Sequence, residues 1–116
     1  MTAFDIKLTL QRLYDILSAH QSVEADWVAE LIELADTDQD ALYARLNSKH
    51  MWGGAGSVAN EALADNCGID DWQWQFEIQD FRELMIALGQ HLMNRGQAYP
   101  DIGSWLLAFN NWNQNS

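Results

Sequence analysis

The stretch "WQWQFEIQDFRELMIALGQHLMNRG", residues 72–96, decides the fold. Within it Trp74, Ile78, Phe81, Met85, Leu88 and Leu92 recur at steps of four, three, four, three and four. That spacing stacks side chains along one face of a helix with 3.6 residues per turn. Arg95 suits the negative end of the helix dipole, and Gly96 can take the left-handed conformation that stops a helix. One long central helix is therefore predicted, with Trp74, Phe81, Met85, Leu88 and Leu92 largely buried.

The same periodicity extends outward in both directions. Upstream, Ile6, Leu10, Leu13 and Leu17 form the stripe of a first helix between Phe4 and His20. Ser22 sits where an N-cap belongs, with Glu24 and Asp26 in the first turn and Trp27, Leu31 and Leu34 as the buried side of a second helix ending near Ala35. Thr37 or Asp38 can cap a short third helix, in which Leu42 and Leu46 are one turn apart, running to about Asn47. Ser57 caps a short fourth helix with Val58, Ala62 and Leu63 on its apolar side, stopping around Gly68. Downstream, beyond Pro100, Asp101 can cap a last helix whose inner face is Ile102, Trp105, Leu106, Phe109 and Trp112. No strand alternation, repeat or linker interrupts this pattern. The expectation is an all-α chain, one domain over residues 1–116, packed as a bundle of about five or six helices around the long one.

Length and composition agree with a folded core. The chain has 116 residues, of which 48% are apolar and six are Trp, too hydrophobic for a disordered acidic tail in spite of a net charge of −11. Seventeen acids against six bases repel nucleic-acid phosphates and anionic membranes and attract basic partners. Direct nucleic-acid binding is thereby disfavoured. Asp5, Lys7, Arg12 and Asp15 break any signal-peptide core or membrane span at the N-terminus, and the lone Cys67 suits a reducing compartment. A cytoplasmic protein with no membrane contact is expected.

The glycine cluster in "KHMWGGAGSVANEAL", residues 49–63, allows two readings. Backbone amides at glycines entering a helix can cradle an anion, with Lys49 or His50 nearby. A P-loop, however, needs a Lys directly before its Ser or Thr and a strand ahead of it, and neither is present. The favoured reading is a structural corner: Gly53, Gly54 and Gly56 give the chain its turn between helices, Ser57 caps the next one, and Trp52 plugs the core beside them.

In "WGGAGSVAN", residues 52–60, the chain resembles an uncharacterised bacterial family of small helical proteins. The family's signature runs aromatic, Gly, Gly, any residue, Gly, Ser, then commonly an apolar residue, Asn and Asp. The likeness extends over residues 4–95, taking in Trp27, Arg45 and the later "FREL", and leaves the Trp-rich tail outside. Ala59 and Asn60 stand where the signature has Asn and Asp, so no carboxylate role carries over to position 60. The resemblance implies no catalytic activity and an association with toxin immunity.

Chemistry-bearing residues are scattered. His20, His50, His91 and Cys67 lie singly on separate elements, without the base and orienting group a nucleophile requires. Neither His50 nor His91 has a second His or an acid three or four residues away that would form a helical ligand pair. The chain therefore reads as a non-enzyme with no cofactor and no metal.

The acids are more informative. Glu24, Asp26, Glu30, Glu33, Asp36, Asp38 and Asp40 form one tract, and Glu61, Asp65, Asp70, Asp71, Glu77, Asp80 and Glu83 form another. Crowding of like charge in a small domain is relieved when a basic surface docks. In "GIDDWQWQFE", residues 68–77, Trp72 and Phe76 fall off the core seam and are ringed by acids, as at a binding hot spot. The expected function is an acidic inhibitor that occludes a basic active site, most concretely an immunity protein against a cytoplasm-acting nuclease toxin. Glu30, Glu33, Asp70, Asp71, Trp72 and Glu77 are the expected contacts. Two other readings stay open: a nucleic-acid mimic that blocks a restriction or CRISPR effector, and a small-ligand protein using the glycine corner.

Overall fold

The computed structural model describes residues 4–54, 57–61, 70–96 and 98–114. Among them are seven helices and no strand: α1 Ile6–Ala19, α2 Glu24–Thr37, α3 Gln39–Leu46, α4 Lys49–Trp52, α5 Val58–Glu61, α6 Asp71–Arg95 and α7 Ile102–Gln114. The all-α fold with one long helix is thus observed. The count exceeds five or six because α4, within the glycine-containing stretch, makes a helical turn of its own. The Cα radius of gyration, 13.6 Å, is that of a compact chain, near the 13 Å typical of about 100 residues.

Local chemistry sets the boundaries. Asp5 caps α1, its carboxylate accepting from the Leu8 amide at 3.0 Å. At the other end the amides of Ser22 and Gln21 donate to the carbonyls of Leu17 and Ser18. This paired closure puts Gln21 at φ 57°, a conformation usually given to glycine. Ser22 does accept, from the Glu24 amide at 3.2 Å, but the cap position falls one residue later, at Val23, and α2 runs from Glu24 to Thr37 rather than to Ala35. Asp38 serves two helices: its amide closes α2 on Leu34, and its carboxylate caps α3 at the Ala41 amide, 3.1 Å away. Gly96, at φ 85°, ends α6 as expected.

Packing follows the apolar stripes. Leu10, Leu13 and Leu17 of α1, Val28 and Leu31 of α2, Leu42 and Leu46 of α3, and Met85, Leu88 and Leu92 of α6 are fully buried. Burial of each such side chain contributes about 1.5–3 kcal/mol relative to exposure. α1 packs on both α2 and α6 and runs antiparallel to each. Lys7 near its start pairs with Asp36 near the end of α2 at 2.6 Å, and Arg12 reaches Asp80 of α6 at 3.9 Å. α7 returns along α6, with Asn113 donating to the Gln79 carbonyl at 3.1 Å.

Two aromatic expectations are met in part, since Trp27 and Trp74 pack against the core without full burial, and a third, Trp112, needs correction. Trp27 and Trp74 are only half-buried. Trp27 packs against the core, and its ring is also flanked by the His50 ring at 4.1 Å and by the Arg45 guanidinium at 5.5 Å. Trp74 meets the edge of His20. Trp112, expected on the inner face of α7, is 48% exposed and lies under Arg82 instead.

Candidate partner-binding surface

The surface is built at the start of α6. The Asp70 carbonyl accepts from the Trp74 amide at 2.9 Å, which begins the helix, while the Asp70 carboxylate makes no cap hydrogen bond. Asp70 and Asp71 are both exposed, and a negative charge there is favoured by the helix dipole. Trp72 and Phe76 are one turn apart and so share a face. They are 73% and 69% exposed, although each carries a large apolar area. The same face continues with Asp80 and Glu83 one and two turns further on.

Tertiary structure adds a residue that the sequence reading did not single out. The C-terminal end of α1 is fastened to early α6 by His20, whose Nε2 pairs with the Glu77 carboxylate. The loop after His20 is therefore held at the same end of the molecule as Trp72. Val23 on that loop is 87% exposed. Its helical neighbours follow the α2 stripe, so the only sequence signal was its place just before that stripe.

The six residues expected to bind a partner do not form one patch. Asp70, Asp71 and Trp72 come together at the α6 start. Glu77 has an internal partner instead, because it fastens the buried His20 to α6. Glu30 and Glu33 lie on α2 beside Thr37 and Arg45, around a cleft of about 220 Å³. There Glu30 is already paired with Arg45 at 3.2 Å.

The glycine corner is described up to Gly54 and again from Ser57; Gly56 lies outside the described residues, as do Cys67 and Asp65. Gly54 has φ 93°, where a side chain is strained. A Cβ on Gly53 would fall 2.5 Å from the Lys49 carbonyl oxygen, so the chain passes too close for any other residue. Ser57 is 1% exposed, and its hydroxyl accepts from the Asn60 amide at 3.2 Å, as a cap does. Trp52 is fully buried, with its indole N–H on the Leu46 carbonyl at 2.8 Å.

Each histidine has a distant partner that no local spacing announces. His20 meets Glu77, His50 meets Glu24 at 2.8 Å, and His91 meets the Tyr43 hydroxyl at 2.8 Å. The His91 pKa is lowered by burial and, secondarily, by the nearby Arg95 charge. Among the described residues no three His, Cys, Asp or Glu side chains are grouped to hold a metal ion, and no helix is long and apolar enough to cross a membrane. No family model, curated protein or solved structure matches the chain.

Proposed function

We propose that the chain is an acidic inhibitory binding protein without catalytic activity of its own, an immunity protein that neutralises a toxin with a basic active-site surface. The observation that carries this reading is the exposed Trp72–Phe76 pair, set among the carboxylates of Asp70 and Asp71. Large exposed aromatics within a charged rim have the composition of a protein-binding hot spot. The net charge of −11 selects the sign of the partner. A nuclease fits that sign, since a cleft that binds phosphates must be basic. Acidic residues steer the encounter, the two aromatics are then buried, and the bound helix end blocks access to the cleft.

The test is co-expression of the whole chain with the product of the adjacent gene. A stable complex and the loss of a toxic activity are expected, and both should be lost in the double variant Trp72→Ala, Phe76→Ala. A neighbour that is neither toxic nor bound, together with substrate turnover by the purified chain, overturns the proposal.

A further inference from the structure

At the far end of α6 from Trp72 there is a cation that meets no carboxylate among the described residues. Lys7, Arg12 and Arg45 each meet a carboxylate. Arg95 makes no ion pair and no hydrogen bond among the described residues. Its guanidinium instead lies over the Tyr43 ring, 3.4 Å from the centroid. Tyr43 is held in turn by its hydroxyl on His91 Nε2 at 2.8 Å, so the surface on which the guanidinium rests is fixed. A stacked guanidinium keeps its in-plane N–H donors available, and that fork matches a carboxylate.

The groups around Arg95 specify more than an anion. Arg95, Tyr43, Asn47 and Asp40 line a cleft of about 380 Å³, within the range of roughly 300–1,000 Å³ usual for small-ligand sites. Asn47 uses its carbonyl oxygen to accept from the Tyr99 amide at 3.3 Å, which leaves its NH₂ group as a donor without a partner among the described residues. Asp40 supplies an exposed carboxylate. Arg95 and Asp40 line the same cleft yet form no ion pair with each other, so both charges remain available to one ligand. Phosphate and other multiply charged anions would be repelled by Asp40 and by the acidic chain as a whole.

We propose that this cleft binds a small zwitterion of the α-amino-acid type, its carboxylate on Arg95 and the Asn47 amide, its ammonium group toward Asp40. The site is separate from the Trp72 surface, and the two readings stand or fall independently.

Titration of the full chain, followed by backbone amide NMR, tests it with glycine and glutamine as ligands and with acetate, methylammonium and inorganic phosphate as partial mimics. Saturable shifts are expected around residues 40–47 and 95–96 for the amino acids, with acetate and phosphate at least about tenfold weaker. Arg95→Gln should weaken amino-acid binding by about tenfold or more, and Asp40→Asn should bring it down to the acetate level. Asp40→Asn alone decides the matter if loss of the Tyr43 stack unfolds the Arg95 variant. Absence of saturable shifts with both amino acids, equal binding of acetate, or amino-acid binding unchanged by Asp40→Asn would each overturn the proposal.

Discussion

The indole N–H of Trp105 donates to the main-chain carbonyl of Trp52 at 2.7 Å. The last helix is thereby tied to the turn that precedes the glycine corner. The partner lies 53 positions back in the chain. Trp52 is itself anchored through its own indole on Leu46, so two tryptophans join α3, α4 and α7 in sequence.

Trp105→Phe keeps an aromatic six-membered ring but removes the indole N–H together with the volume of the five-membered ring. A cost of about 1–3 kcal/mol is expected, because the carbonyl it leaves belongs to a fully buried residue. Urea unfolding measures it. A change under about 0.3 kcal/mol would mean that α7 is not held at this point.

Gly54→Ala and Gly89→Ala should both destabilise, for different reasons. At Gly54 space is open but φ is 93°, so the strain of a left-handed residue, about 1–2 kcal/mol, is the expected loss. At Gly89 an added Cβ would sit 2.6 Å from Leu106 Cδ2 and 3.0 Å from Ile102 Cγ2. Overpacking of that kind costs about 1–3 kcal/mol. A double-mutant cycle separates the two mechanisms: Leu106→Ala should reduce the penalty at Gly89 and leave that at Gly54 unchanged. Equal penalties in both backgrounds would refute the packing explanation.

His91 should titrate below the ordinary histidine value of about 6.5. Burial disfavours its charged form and Arg95 adds to this, while Nε2 is hydrogen-bonded to the Tyr43 hydroxyl. With the folded-state pKa depressed, the unfolded chain takes up the proton first as pH falls. Stability that depends on neutral His91 is therefore complete above about 6.5 and is lost as pH drops through the folded value. The His91 ring resonances report the midpoint, and His91→Gln should flatten this part of the stability profile. A midpoint at or above that of a free histidine would contradict the assignment.

At the partner surface, charge and aromatic contacts should act on different rates. Reversing Asp70 and Asp71 to Lys should slow association and weaken its salt dependence, with little change in dissociation. Trp72→Ala should speed dissociation and cost on the order of 2 kcal/mol. Glu77→Gln should lower stability rather than affinity, since Glu77 holds His20. Surface plasmon resonance with the captured partner distinguishes these outcomes; an association rate indifferent to the Asp70 and Asp71 reversals would remove the steering step.

The sequence by itself determined the helices. The Trp74–Leu92 seam, the Asp38 cap and Gly96 act over three or four residues, and local periodicity and capping are fully expressed at that range. It also determined that Trp72 and Phe76 have no place on the seam, because helical geometry alone puts them elsewhere. Tertiary structure decided how far each aromatic is covered. Trp27 fits the α2 stripe and packs against the core, yet its ring also meets the polar His50 and Arg45, brought in from α4 and α3. It also decided which carboxylates are free: Glu77 and Asp71 are indistinguishable as letters in an acidic tract, and only the antiparallel docking of α1 on α6 brings His20 to one of them. The same holds for Arg95 and Tyr43, whose contact joins positions that no periodicity relates. Pairing between distant elements depends on how helices are stacked and turned, and a single sequence carries that information only through the sum of its packing interactions.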